Sequence, residues 1–205
     1  DVGSTFTIRL SATDNTSLSV TQDFVLRVID LGQSIVINEV NYNPPDNTRH
    51  EEFIELHNPT PAPLDVSLWR FSGGIGYLIP IGTVIPAGGF LVVAQSPPAL
   101  QSRFGAASVG PWEGALDSEG DRITLSDAGG QKICEVNYAS EFPWPIGADG
   151  DGSSMQLVNP SLDNDLGSSW RSALPTPGAT NSVFALNAAP NIRQVNHSPQ
   201  TPAST

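Results

Sequence analysis

The stretch from Ile35 to Asn58, IVINEVNYNPPDNTRHEEFIELHN, constrains the fold more than any other part of the chain. Two short apolar runs, each with an embedded glutamate, flank a loop that holds two prolines, two asparagines and an aspartate. Short runs bounded by turn-forming residues are typical of β-strands. The 18 prolines and 19 glycines continue this punctuation through the chain, and no helical apolar period lasts for three turns. The sequence therefore predicts an all-β fold.

The chain divides into three parts by pattern. Residues 1–31 contain two alternating runs, Thr5–Ala12 and Gln22–Ile29, which predict a hairpin. This hairpin resembles the last two strands of a cadherin-like or immunoglobulin-like repeat, so we expect residues 1–31 to be the end of a preceding module plus a linker. Residues 32–183 are long enough for one domain with its own core. Residues 184–205 are polar and non-periodic, which favours an interdomain linker or the start of a further module.

Residues 35–181 carry eight landmarks in a fixed order. They are the opening strand with Glu39, EEFIELHN with Glu52 and Glu55, LDVSLWRF with Trp69, IPAGGFLVV, GDRITLSDAGGQKICEVNY, EFPWP with Trp144, DGSSMQLVNPSLDND, and SSW with Trp170. In this order they resemble the lamin tail domain as found in large bacterial extracellular proteins. The resemblance implies an immunoglobulin-like β-sandwich, and we expect the three tryptophans to pack in its core.

The charge balance and the length of the apolar runs argue against nucleic acid as a partner and against insertion into a membrane. Nine Lys and Arg stand against 21 Asp and Glu, a formal net charge of −12. Such a surface repels phosphate backbones, so the sequence does not predict nucleic-acid binding. No apolar run approaches the ~20 residues that a membrane-spanning helix needs, so no direct membrane insertion is predicted either.

The acidic segment ADGDGSSMQLVNPSLDND is the candidate metal site. Carboxylates at Asp149, Asp151, Asp163 and Asp165 are ligands that calcium prefers, and no other cofactor is predicted. The spacing does not match the helix–loop–helix calcium pattern, because Ser154 stands at its glycine and Pro160 at its bidentate glutamate. Asp and Gly are also common turn formers, and this reading is the favoured one.

The nucleophile and acid–base candidates assemble no predicted reaction centre. We expect Glu39, Glu52 and Glu55 to be strand residues bonded to backbone amides or to arginines, not glycosidase carboxylates. Cys134 alternates with Val136 and Tyr138 in a strand pattern, which favours a buried, inert thiol. The histidines at 50, 57 and 197 lack metal-ligand spacing and are expected at the surface. The chain is therefore predicted not to be an enzyme.

The segment from Ser96 to Leu116 is long for a connection between strands, and such loops often carry binding residues. Arg103, Phe104 and Trp112 could form an aromatic platform for a sugar ring. The alternative, which we favour, is that Phe104 and Trp112 fold inward and cap the sandwich.

These observations predict a non-catalytic structural or interaction module of a large secreted or cell-surface bacterial protein. Its partner would be a protein or a glycan. The alternative is an accessory targeting or carbohydrate-binding module of a secreted hydrolase. An unpaired hairpin edge can add to the sheet of another chain, so a dimer through the N-terminal hairpin is also expected.

Overall fold

The computed structural model describes residues 5–27 and 35–187. These residues form two compact units, a hairpin and a β-sandwich. The hairpin consists of strands β1 (Thr5–Thr13) and β2 (Ser19–Arg27), which pair antiparallel with Thr5 opposite Arg27. The predicted second strand began later and continued to Ile29, which lies outside the described residues.

The hairpin has a tight polar turn and an exposed apolar side. Asp14 accepts hydrogen bonds from the backbone N–H groups of Thr16 and Leu18, which closes the turn. Four apolar side chains on the strands are exposed, that of Val25 on one side and those of Ile8, Leu10 and Val20 on the other. A two-stranded hairpin is only marginally stable alone in water, so this unit gains stability only when something covers that side.

The sandwich contains twelve short strands and one α-helix. The strands before the helix are β3 (Val36–Asn41), β4 (Phe53–His57), β5 (Leu64–Asp65), β6 (Arg70–Gly73), β7 (Ile75–Leu78), β8 (Val84–Ile85) and β9 (Phe90–Ala94). After β9 come α1 (Pro97–Phe104), β10 (Glu113–Gly114), β11 (Gly120–Ser126), β12 (Lys132–Ala139), β13 (Ser154–Leu157) and β14 (Trp170–Ala173). Single 3-10 turns lie at Asn47–Arg49, Ile146–Ala148 and Gly167–Ser169.

Two five-stranded antiparallel sheets enclose the core. The first sheet has the order β10-β7-β6-β11-β12 and the second has the order β14-β13-β3-β4-β9. Strands β5 and β8 form a small separate pair. One continuous apolar cluster draws side chains from both five-stranded sheets, which makes the fold an immunoglobulin-like β-sandwich. The all-β prediction is confirmed.

Several core predictions are also confirmed. Trp69, Trp144 and Trp170 are all buried in the main cluster. In β12, Cys134, Val136 and Tyr138 point inward, as their alternation predicts. Large aromatic and branched side chains from alternate positions therefore fill the space between the sheets.

The outer face of the second sheet is covered as well, and it changes chemistry across the strands. One cross-strand row runs from Gln156 in β13 through Glu39 in β3 and Glu55 in β4 to Val92 in β9. A β-bulge between Ile37 and Glu39 sets the register of this row. The row is polar at one end of the sheet and apolar at the other, so two different covers lie over it.

Helix α1 covers the apolar end. The sequence analysis treated residues 96–116 as a loop, and this was wrong for the part that forms α1. Leu100 of α1 packs against Phe53, Val92 and Ala94 in a second apolar cluster. Strand β9 is an edge strand, and α1 and the segment through Val109 cover it. No helix within residues 5–27 and 35–187 is both long and apolar enough to span a membrane.

Candidate functional site

A groove of about 260 Å³ lies where three segments of the sandwich meet. The first segment is the PPDN loop, residues 43–50. The second is the C-terminal end of α1, and the third is the chain just after β14. We name this feature the proline groove, and its lining residues are Asn41, Pro44, Pro45, Glu51, Arg103, Phe104, Gly152, Leu174 and Pro175. The groove brings together the PPDN loop and two of the three binding candidates of the sequence.

The PPDN loop is held in shape by its own polar side chains. Asp46 accepts hydrogen bonds from the backbone N–H of Thr48 at 3.1 Å and from the Arg49 guanidinium at 2.8 Å. The Asn43 side chain donates to the Asp149 carboxylate at 2.6 Å, which ties the loop to the neighbouring turn. Asx turns of this kind fix local backbone geometry. The two prolines of the loop therefore form a firm wall.

Helix α1 places Arg103 and Phe104 at the groove. Two prolines open the helix at positions where their missing N–H groups carry no cost. Gly105 ends it at φ 69°, in the left-handed region that glycine adopts most easily. Leu100 anchors the buried side of the helix, so the last turn points toward the groove.

Arg103 is held loosely. Its side chain is 57% exposed, and its Nε lies 3.7 Å from the Glu51 carboxylate, which is only 10% exposed. Its guanidinium carbon lies 5.6 Å from the centre of the Phe104 ring. Phe104 in turn meets Phe53 edge-on, with ring centres 6.1 Å apart. Because the Arg103 side chain is largely exposed and the separation is long, this ion pair contributes little to stability, so Arg103 is available to a ligand at the groove.

Trp112, the third binding candidate, lies elsewhere. Its side chain is 6% exposed and belongs to the main core between the sheets. Phe104 is half-buried against the second apolar cluster. The structure thus does not join Arg103, Phe104 and Trp112 into one exposed platform, because core packing takes the largest ring.

The four candidate calcium ligands lie in two loops, Asp149 and Asp151 before β13 and Asp163 and Asp165 after it. Asp149 binds the PPDN loop through Asn43, and Asp151 lies in the following turn. Asp163 accepts from the backbone N–H of Asp165, whose own carboxylate accepts from the backbone N–H of Asn137. Within residues 5–27 and 35–187, no three His, Cys, Asp or Glu side chains are grouped so that they could hold a metal ion. Calcium binding stays a prediction of the sequence alone.

The polar end of the second sheet holds a buried carboxylate pair. Glu39 and Glu55 lie directly opposite each other in β3 and β4, and neither is exposed. Burial raises the pKa of both carboxyls, that of Glu55 to about 8, and the nearby Glu39 charge adds to the shift at Glu55. The cover over this pair is the segment Leu174–Asn181, which we name the strap. Neither carboxyl lines the proline groove.

The bonds between the pair and the strap are direct. Glu39 accepts hydrogen bonds from the backbone N–H and the hydroxyl of Thr176, both at 2.9 Å. Glu55 accepts from the backbone N–H of Gly178 at 2.6 Å. Bonding to backbone amides matches the sequence expectation for these glutamates. No arginine contributes to either carboxyl among the contacts of the described residues.

The strap residues are the part of this site that sequence reasoning missed. The motif TPGATN has one local signal, because Pro177 followed by Gly178 is typical of a type II turn. The structure shows that turn, with Gly178 at φ 84° and the Ala179 N–H donating to the Thr176 carbonyl at 3.0 Å. The signal predicts a turn, but it does not predict which carboxylates the turn covers.

Other titratable candidates are occupied structurally. Burial raises the pKa of the Cys134 thiol to about 12, which leaves it inert at neutral pH. Glu52 accepts a hydrogen bond from the backbone N–H of Leu116. His57 was expected at the surface, yet it is half-buried and stacks on Phe90 at 4.6 Å, and burial lowers its pKa. The expected position of His197 lies outside the described residues.

The family comparison agrees with this architecture. The family model described as Lamin Tail Domain matches residues 31–140, more than half of the 205-residue chain. The chain belongs to the lamin tail domain family. No curated protein gives a significant match. Lamin tail domains are immunoglobulin-like modules and are generally non-catalytic.

This lamin tail domain extends past the matched residues. Strands β13 and β14, and the strap that follows them, all lie beyond residue 140. They complete the second sheet and cover its carboxylate pair. The matched range therefore holds the opening strands and most of the core, while the last part of the domain supplies one edge and one cover.

Proposed function

We propose that this lamin tail domain is a non-catalytic interaction module of a large secreted or cell-surface bacterial protein, and that its partner binds at the proline groove. One observation carries the proposal. Three segments distant in sequence converge on a concave surface that is supported by a rigid sandwich. Binding residues are typically presented by loops on such a scaffold.

The composition of the groove defines what it can accept. Proline rings, the Leu174 side chain and Phe104 offer apolar contact, while Arg103 and Glu51 offer a cationic donor and an anionic acceptor. A volume of about 260 Å³ is below the range of ~300–1,000 Å³ that is usual for drug-sized ligands. The groove therefore suits one side chain of a protein partner or one sugar ring.

We propose the extracellular location because the sequence resembles lamin tail domains of bacterial extracellular proteins. The acidic surface supports solubility and disfavours nucleic-acid partners. The single cysteine is buried, so no disulfide is required for the fold. In this setting the domain acts as a spacer that presents its groove to a protein or glycan.

Binding screens test the proposal directly. The whole chain would be applied to a glycan array and to a displayed peptide library, and binders would be measured again with Arg103→Ala. We expect this variant to lose at least about tenfold in affinity, because a groove cation that bonds to a ligand contributes well over 1 kcal/mol. The matched control is Arg122→Ala, an exposed arginine of β11 in the first sheet.

Two results would contradict the proposal. One is the absence of any specific binder in both screens. The other is an equal loss of affinity with Arg103→Ala and Arg122→Ala, which would place binding away from the groove. Measurable turnover of a hydrolase substrate panel by the purified chain would overturn the non-catalytic assignment.

A further inference from the structure

The strap joins the buried carboxylate pair to the proline groove. Its first two residues, Leu174 and Pro175, line the groove, and its next turn lies on the carboxylates. The Leu174 carbonyl accepts a hydrogen bond from the Gln156 side chain at 2.7 Å, beside Glu39 in the same cross-strand row. A change at the carboxylates therefore reaches one groove wall within three residues.

We infer that Glu39 and Glu55 form a two-carboxylate latch, in which the protonation of the pair controls how firmly the strap closes one wall of the groove. The latch deepens the proposed function by adding regulation to the same site. Its effect on binding rests on that function, but the latch itself does not.

The hydrogen bonds locate the charge within the pair. Glu39 accepts from the Ser154 hydroxyl and from the Gln156 amide, in addition to both donors of Thr176. Among the described residues, Glu55 accepts from two donors, the Asn38 amide and the Gly178 N–H. Donors stabilise the ionised form, so the negative charge of the pair is held better by Glu39, and Glu55, whose pKa burial raises to about 8, is the carboxyl that keeps a proton at neutral pH.

The groups around the pair leave no other source of charge. Ser154 and Gln156 face it from β13, Asn38 from β3, and Thr176 and Asn181 from the strap, and all are neutral. His57 is the neighbouring titratable group on β4. Burial lowers its pKa, so it is already uncharged above neutral pH. Across the described residues, neither carboxyl forms an ion pair with a Lys or Arg.

A second charge on Glu55 would have to be relieved by movement of the strap. Two adjacent buried carboxylates repel strongly in a medium of low dielectric constant. Their strands are fixed by ladder bonds on both sides, since β3 and β4 are internal to the second sheet. The strap is held by side-chain bonds and a single turn, so it is the element that yields. Water then reaches the pair, and Leu174 and Pro175 lose their fixed positions.

Nuclear magnetic resonance of the whole 205-residue chain tests the latch without any ligand. The backbone amide signals of Thr176 and Gly178 would be followed from about pH 5 to pH 10, together with hydrogen exchange corrected for the intrinsic rate. We expect both signals to shift with one midpoint near pH 8, and their protection to fall about tenfold above it. The ring signals of Phe104 at the groove should move with the same midpoint.

Two variants separate the latch from other titrations. Glu55→Gln should abolish the midpoint near 8 in the strap and groove signals. Glu52→Gln is the matched control, because Glu52 is also a buried glutamate but bonds Leu116 away from the strap. This control should leave the midpoint unchanged. If Glu55→Gln does not fold, the carboxyl carbon signal of Glu55 in the unaltered chain reports the same midpoint.

Either of two results would overturn the latch. One is a midpoint below about pH 5 for the Glu55 carboxyl carbon, the ordinary range for glutamate. The other is a midpoint near 8 that leaves the strap amides and the Phe104 ring unmoved. Failure of the binding screens would contradict the proposed function but would leave these resonance signals unchanged. The proposed function and the latch can therefore be disproved independently.

Discussion

The outer face of the second sheet has two covers that work by different chemistry. At one end, α1 buries Leu100 against Phe53 and Val92, and the contact is entirely apolar. At the other end, the strap buries Glu39 and Glu55 through directed hydrogen bonds. An apolar cover depends on area and volume, whereas a polar cover depends on satisfied donors and on protonation. Mutations and pH should therefore separate them.

The largest loss of stability should come from removing a large side chain at the apolar end of the second sheet. Phe53 is fully buried and contacts Phe104 under α1. Phe53→Ala removes that apolar area and leaves a cavity, so we expect a loss of about 4 kcal/mol in the free energy of unfolding. Urea denaturation at several pH values measures it. The loss should stay constant with pH, and a strongly pH-dependent loss would erase the contrast between the covers.

The next largest loss of stability should come from a substitution at the polar end of the second sheet, because it leaves hydrogen-bond donors without an acceptor. Glu39→Ala removes the carboxylate that accepts from the Ser154 hydroxyl and from both donors of Thr176, while the Gln156 amide keeps its bond to the Leu174 carbonyl. We expect a loss of about 3 kcal/mol from the buried donors. Glu113→Ala, at an exposed strand glutamate, is the control and should change stability by less than about 0.5 kcal/mol. Equal effects of the two variants would mean that water already satisfies the strap.

The pH dependence of stability sharpens the comparison further. The folded-state pKa of Glu55, about 8, lies above that of an unfolded glutamate. Its contribution to stability is therefore complete in acid, below about pH 4.3, and is lost as pH rises through 8. One pKa unit corresponds to about 1.4 kcal/mol in the free energy of unfolding. Because loosening of the strap lets water reach the ionised pair, we expect the total loss in the free energy of unfolding to be about 2 kcal/mol.

Chemical denaturation from about pH 5 to pH 9 measures this loss. In Glu55→Gln the part of the decline that is centred near pH 8 should disappear, while Leu100→Ala should be less stable at every pH by a constant amount. An unaltered chain whose stability rises between pH 5 and pH 8 would show that other carboxyls dominate.

The smallest expected effect lies at the end of α1. A methyl group at Gly105 meets no atom within 4 Å, so Gly105→Ala costs only backbone strain at φ 69°. We expect a loss of about 1 kcal/mol. Gly130→Ala has the same open space at φ 83° in the turn between β11 and β12 and should cost the same. Only the first variant should shift the Phe104 ring signals, and identical spectra would show that α1 tolerates a changed end.

The main architecture was predictable because it depends on local sequence patterns. Alternation placed Cys134 and Val136 inside β12, and the ordered landmarks indicated the family and the sandwich. Helix α1 was missed because a single helix of 8 residues is too short to show a helical period. Its local signals were the two prolines at its start and Gly105 at its end.

The polar cover could not be predicted from local pattern. Glu39 and Thr176 are 137 positions apart, and no periodicity connects them. The sequence identified the glutamates as strand residues, and Pro177–Gly178 indicates a turn, but the contact between them depends on the complete fold. Likewise, the sequence left two positions open for Trp112, an exposed platform or the favoured inward cap, and only the assembled core shows that its ring is buried. The dimer through the hairpin remains a prediction.

The extent of the second sheet has a practical consequence for anyone who cuts this gene. A fragment trimmed to residue 140, where the family match stops, would lack two strands and would leave paired acids uncovered beside an open sheet edge. Such a fragment would invite precipitation. Even a stop directly after Asn181 would sever the Ala185 backbone bond to Val158. Expression boundaries should therefore reach at least residue 187.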